Sequence, residues 1–159
     1  SEVAACMNVT GILHVNINCS DFDRSRKFYE MLGFRVVMPI EPRGTADVAA
    51  AVGMQGYVVR GALMQHRDRS VIDLLEWREP RDERPPYGRL NHLGIARIAF
   101  VTTDIDRDME QLSAEGVQFL SREAAVVEGP GGRTTRFICF RDPDGTVLEL
   151  VEMAPGKEN

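Results

Sequence analysis

Four residues of this chain have the types and positions to do chemistry: His14, Glu76, Arg97 and Glu149. A histidine takes up or releases a proton near neutral pH, and a carboxylate accepts a proton or neutralises a cation. Arg97 differs in kind, because a guanidinium stays protonated at physiological pH and has no lone pair for a metal. Glu76 lies in Leu75-Glu76-Trp77 and Glu149 in Leu148-Glu149-Leu150, each carboxylate between apolar neighbours. A carboxylate buried there without a partner is strongly destabilising, so each calls for a cation, a metal or water. Placed between the two, Arg97 would neutralise one and hydrogen-bond both; placed beside a divalent cation it would weaken binding.

The elements that must position these residues follow from an internal repeat. Residues 13–34 recur at 96–117 without a gap. At a shift of 83, His14 falls on Arg97, Asp21 on Asp104, Phe22 on Ile105, Asp23 on Asp106, Arg24 on Arg107 and Gly33 on Gly116. Each copy reads as a strand, an Asp-apolar-Asp-Arg corner, a helix and a terminating glycine. The first strand, 12–19, alternates Leu13, Val15 and Ile17 with His14, Asn16 and Asn18. Ser20 with Asp23 resembles a capping box, and the helix over 22–32 buries Phe22, Phe28, Tyr29 and Leu32. Strands are expected at 34–38, 57–65 and 71–77, the last with Ile72, Leu74 and Glu76 on one face. Residues 41–56 exceed their counterpart in length, and the Ala-rich centre 45–52 suits two helical turns after a Thr45 cap, as a surface packing helix or a lid.

The second copy predicts strands at 95–101, 117–120, around 124–128, 136–140 and 146–152, with a helix over 106–114. Val147, Glu149 and Val151 share a face of the last strand, and matching Leu75-Glu76-Trp77 to Leu148-Glu149-Leu150 would bring the four residues together under pseudo-twofold symmetry. The organisation expected is an extension 1–10, a first module 11–78, a linker 79–93 containing Pro80, Pro85 and Pro86, a second module 94–153 and a tail 154–159. The second copy thus marks one strand stretch more than the first, and the fold expected is α+β, each module a strand, a helix and three strands, eight strands in mixed or antiparallel sheets.

The composition excludes some functions. A net charge of −5 and a pI near 5.2 argue against a nucleic-acid surface, which needs a basic stripe. No apolar run reaches the ~18 residues of a membrane span, and residues 1–8 lack the pattern of a secretory signal. Cys6, Cys19 and Cys139 lack Cys-x-x-Cys spacing and suit reduced thiols in a cytoplasmic protein. His66 reads as a turn residue, His92 as a loop residue or substitute ligand, and Trp77 and Tyr57 as packing residues of core or rim rather than residues that stack on a ligand.

The corner Ser20-Asp21-Phe22-Asp23-Arg24-Ser25 leading to Phe28-Tyr29 and Leu32-Gly33-Phe34, with the closing run from Phe140-Arg141-Asp142-Pro143-Asp144-Gly145 to Thr146-Val147-Leu148-Glu149-Leu150, resembles the vicinal oxygen chelate superfamily. That superfamily includes glyoxalase I, methylmalonyl-CoA epimerase, extradiol dioxygenases and the bleomycin- and fosfomycin-resistance proteins. The resemblance implies two βαβββ modules forming an eight-stranded open cup, a homodimer, and a divalent metal at the base of the cup. In the glyoxalase and epimerase branches the ligands are His or Gln, Glu or Gln, His, then Glu. His14, Glu76 and Glu149 match, and Arg97 does not. Arg97 also removes the second His of the extradiol triad, which disfavours a dioxygenase. The function implied is a small-molecule lyase or isomerase/epimerase acting on an oxygen-rich carbonyl substrate through Glu76 and Glu149, with Arg97 in place of one metal ligand. The alternative is a metal-free, ligand-sequestering binding protein. The cofactor is then either a divalent metal of unknown identity on His14, Glu76 and Glu149, or none.

Overall fold

The Asp-apolar-Asp-Arg corner explains why each copy of the repeat turns into a helix where it does. In the computed structural model, which describes residues 7–154, the carboxylate of Asp21 accepts the Arg24 N–H at 3.0 Å and Asp104 accepts that of Arg107 at 3.1 Å. Each aspartate thus satisfies an N–H that the first helical turn leaves without a partner. The corner's second aspartate fastens the helix to its sheet. Arg60 donates two bonds to Asp23 at 2.7 and 2.9 Å, and Arg136 two to Asp106 at 2.9 and 2.8 Å. These bonds hold both carboxyls below the usual aspartate range. The cap is therefore Asp21, not the expected Ser20 and Asp23 box: the Ser20 hydroxyl accepts from Arg24 Nη2 at 2.9 Å.

The elements run β1 (Val15–Asn18), α1 (Phe22–Met31), β2 (Arg35–Pro39), α2 (Ala46–Ala51), β3 (Val58–Gln65), β4 (Val71–Glu79), β5 (Ile98–Val101), α3 (Ile105–Ala114), β6 (Ala125–Glu128), β7 (Thr134–Arg141) and β8 (Val147–Met153), with a 3-10 turn at Pro130–Gly132. The chain divides between Asp82 and Glu83 into two units. Each unit holds one four-stranded mixed sheet, ordered β1-β4-β3-β2 in the first and β5-β8-β7-β6 in the second. In each, the first strand lies parallel to the last and the remaining neighbours are antiparallel. A parallel pair needs a long connection; here the helix carries the chain to the far edge of the sheet and the two middle strands bring it back beside the first.

In the first unit α1 turns Phe22, Ser25, Phe28 and Tyr29 inward, and Tyr29, Phe34, Met64, Ile72 and Leu74 form the core. In the second, Ile105, Leu112, Ile138, Phe140, Leu148 and Leu150 do the same. Each such side chain contributes about 1.5–3 kcal/mol on burial. Gly33 and Gly116 end α1 and α3 at φ of 101° and 81°, a region costly for residues with a Cβ.

Five expectations shift. β1 starts at Val15, leaving Ile12 and Leu13 exposed, and β5 starts at Ile98, so Arg97 precedes its strand. The expected strand at 117–120 reduces to one bridge between Phe119 and Phe140. Its backbone turns back early, since the Val117 N–H is taken by the carbonyl of Leu112, and β6 takes the place beside β7. β4 continues to Glu79, past the expected end of the first module. Thr45 precedes α2 without capping it, its hydroxyl bonding the Asp47 carboxylate. Cys6, most of the expected extension and nearly all of the tail lie outside the described residues.

Candidate functional site

Strand register decides which carboxylates correspond. β1 sets Val15 against Ile72 and Asn16 against Asp73; β5 sets Ile98 against Leu148 and Ala99 against Glu149. Val15 and Ile98 are equivalent in the repeat, so Asp73 is the counterpart of Glu149, and Glu76 that of Glu152. Two further correspondences agree. The Phe22 N–H donates to Glu76 Oε2 at 2.8 Å and the Ile105 N–H to Glu152 Oε2 at 2.8 Å. The turn before β4 places Arg69 at φ 73° where the turn before β8 places Gly145 at φ 95°. Pairing Glu76 with Glu149 on their Leu-Glu steps is therefore three residues out of register.

This shift moves Glu76 to the other side of its sheet. Side chains alternate along a strand, so Glu76 shares the helix-facing side with Ile72 and Leu74, while Asp73 lies on the opposite face. Both Glu76 oxygens are engaged, Oε2 by the Phe22 N–H and Oε1 by Arg78 Nε at 3.1 Å. A buried carboxylate at the positive end of α1 is a favourable structural arrangement.

Asp73, which the sequence reading passed over, sits differently. Its Oδ2 lies 3.8 Å from His14 Nε2, inside ion-pair range but beyond hydrogen-bond length. Its Oδ1 is buried and has no hydrogen-bond partner among the described residues. Burial pushes the Asp73 carboxyl up, and the positive charge on His14 opposes that rise. Asn16 braces the strand by donating to the Asp73 carbonyl oxygen at 2.9 Å.

The equivalent pair in the second unit is closed. Arg97 Nε donates to Glu149 Oε2 at 2.6 Å, and the Glu149 side chain is 12% exposed against 42% for Arg97. Cys139 faces Glu149 across the β7–β8 ladder. Burial first, then the charge of Glu149, pushes its thiol up, and Arg97 pulls it down, so the cysteine is held in the unreactive thiol form.

These donors do not fit the metal site that the resemblance implied. Glu76 faces the helix with both oxygens bonded, and a guanidinium that cannot ligate holds Glu149. Among the described residues no group of three or more His, Cys, Asp and Glu is placed to hold a metal ion. His66 and His92 are otherwise engaged: His66 Nε2 lies 3.1 Å from the Leu32 carbonyl oxygen, and His92 stacks on Tyr87 with centroids 4.4 Å apart.

The family model described as Glyoxalase/Bleomycin resistance protein/Dioxygenase superfamily matches residues 11–150. The chain belongs to this superfamily. The chain is 28% identical over 149 residues to the uncharacterized protein YwkD of Bacillus subtilis (strain 168), a match covering 92% of this chain and 99% of that one. Among solved structures, a glyoxalase family protein from Bacillus cereus aligns with a TM-score of 0.75 at 22% identity, covering 94% of this chain and all 100% of that one. A glyoxylase/bleomycin resistance protein/dioxygenase domain from Frankia sp. EAN1pec aligns with a TM-score of 0.66 at 21% identity, covering 94% and 96%. Likeness at that identity carries the glyoxalase-superfamily fold and no particular reaction. Among the described residues no helix is long and apolar enough to cross a membrane.

Proposed function

We propose that this chain is a metal-independent isomerase, epimerase or lyase that moves a proton on carbon beside a carbonyl group in an oxygen-rich small molecule. One observation carries the reading: Asp73 keeps a buried, unpartnered Oδ1 while its Oδ2 faces His14 Nε2 at 3.8 Å. A carboxylate shielded from water binds a proton more avidly than an exposed one, and this property makes it an effective general base. His14 stands where it can hold the countercharge and hand a proton back. In the second unit, Arg97 uses Nε on Glu149, and its Nη groups have no partner among the described residues. They are suited to an anionic or carbonyl oxygen. Glu76 is assigned to the architecture of α1 rather than to chemistry.

Deuterium uptake from D2O into the carbon beside the carbonyl of α-oxo acids, followed by NMR on chelator-treated protein, tests the reading. Asp73→Asn should lose roughly a hundredfold or more in exchange rate, and Glu76→Gln should keep it. Exchange that survives Asp73→Asn, or that requires added metal, refutes the proposal. Tight binding by the wild type with no exchange would favour the sequestering alternative.

A further inference from the structure

We infer that Trp77 and Tyr57 form an apolar subsite on the Asp73 face of the first sheet, and that the substrate class is therefore a carbonyl acid bearing an aromatic or similarly flat apolar arm. The inference rests on the proposed proton-transfer role of Asp73.

Trp77 lies four residues beyond Asp73 on β4, so both side chains leave the same face, opposite the core residues Ile72 and Leu74. Their Cα atoms are separated by roughly 13 Å of strand, with Leu75 between them. Two contacts fix the indole. Its Nε1–H donates to Asn18 Oδ1 at 3.0 Å, and its ring meets Tyr57 edge-on, with centroids 5.3 Å apart and planes at 61°. With its one polar group already satisfied, the half-buried ring offers apolar surface and asks for no further hydrogen bond. An aromatic oriented in advance binds a flat group with little loss of conformational freedom.

Gly44 bounds the subsite. A Cβ there would lie 2.3 Å from the Tyr57 hydroxyl oxygen, so any larger residue would push the Tyr57 ring from its present place. The segment before α2, expected from sequence as packing or lid, thus closes around Tyr57. The same face carries in order the Asp73 carboxylate, whose Oδ2 lies 3.8 Å from His14, then Leu75, then the Trp77 ring. A carbonyl group joined by a short carbon chain to an aromatic ring matches that order. Trp77 and Tyr57, expected from sequence to be packing residues, thereby become specificity residues.

Trp77 is the one tryptophan of the chain, so its emission reports on this subsite directly. Benzylpyruvate and α-ketobutyrate share the oxo-acid head and differ in the ring. Titration should show benzylpyruvate changing Trp77 emission and binding roughly tenfold to a hundredfold tighter, as expected for burying a ring. By calorimetry Trp77→Ala should bring the two affinities within about threefold, and Trp77→Phe should restore most of the preference. Gly44→Ala should weaken benzylpyruvate alone by displacing Tyr57, which keeps the test open if Trp77→Ala does not fold. Asp73→Asn should still bind benzylpyruvate with the emission change while losing deuterium exchange. Equal affinities, no binding of either acid, or a folded Trp77→Ala that keeps the preference overturns the subsite. Exchange on both acids without preference would leave the proton-transfer proposal standing alone, and preference without exchange would leave the subsite standing alone.

Discussion

Replacing Arg97 with leucine exposes how the second unit tolerates a buried charge. Glu149 has a side chain 12% exposed and a guanidinium Nε at 2.6 Å, so the variant leaves a carboxylate that water reaches poorly and nothing neutralises. Breaking a fully buried pair costs about 3–5 kcal/mol. The Arg97 side chain is 42% exposed, so water already supplies part of the compensation and the expected loss falls to about 2 kcal/mol. Glu149→Leu leaves instead a guanidinium that solvent can hydrate, and should cost less than about 1 kcal/mol. The double variant, apolar at both positions, should return to within about 1 kcal/mol of the parent. Urea unfolding followed by circular dichroism measures all four corners of the cycle at constant m. An Arg97→Leu protein within about 0.5 kcal/mol of the parent, or a double variant no more stable than Arg97→Leu, would show that Arg97 does not hold Glu149.

Two further outcomes follow from the first unit. Burial raises the Asp73 carboxyl above its unfolded value, so folding takes up a proton between the two values; the favourable contribution is complete below the unfolded value and is lost as pH rises through the folded one. At pH 7 Asp73→Asn should thus be more stable than the parent by about 1 kcal/mol, an advantage that shrinks on acidification and is measured by thermal melts across pH; a less stable Asp73→Asn at neutral pH would contradict this. Glu76→Ala removes the acceptor of the Phe22 N–H and should cost about 2 kcal/mol in urea unfolding, with Glu76→Gln recovering most of the loss; a neutral Glu76→Ala would refute the assignment to α1.

The fold was legible because its signals are local. The corner from Asp21 to Arg24 and its copy at Asp104 to Arg107 announce two helix starts, and Gly33 and Gly116 announce their ends. The site was only half legible. His14 and Arg97 could be paired because their stretches repeat without a gap, whereas the modules differ in length between helix and final strand, so the last strands had to be matched on pattern alone. The short match Leu-Glu was too weak to choose among registers. The longer match was present: Val71-Ile72-Asp73-Leu74-Leu75-Glu76 against Val147-Leu148-Glu149-Leu150-Val151-Glu152, two acids three apart in each copy. One acid faces the helix N-terminus and the other the opposite side of the sheet. Odd spacing alone requires opposite faces, but which acid serves which face depends on the parallel register with β1 and β5, a non-local pairing. The equivalence of the two turns was hidden for a similar reason: the turn over 66–70 was legible, but Arg69 occupies a positive φ there that Gly145 marks openly in the other copy.

The two units therefore answer one electrostatic problem differently. Each carries an acid on the same face of its last strand, and each places the residue before its first strand beside that acid. Arg97 neutralises Glu149 with a charge that no accessible pH removes and a bond of 2.6 Å. That choice stabilises the unit but removes the carboxylate from proton chemistry, because its negative charge is already spoken for. His14 stands 3.8 Å from Asp73 Oδ2, beyond hydrogen-bond length, and Oδ1 has no hydrogen-bond partner among the described residues. Such an arrangement is less stable than a closed ion pair, because a buried acceptor without a hydrogen bond keeps its desolvation cost. The departure from the family's ligand pattern at Arg97 thus marks the stabilised copy. The copy whose acid is left incompletely paired is the one to which the proposed function assigns the chemistry, at Asp73 and His14.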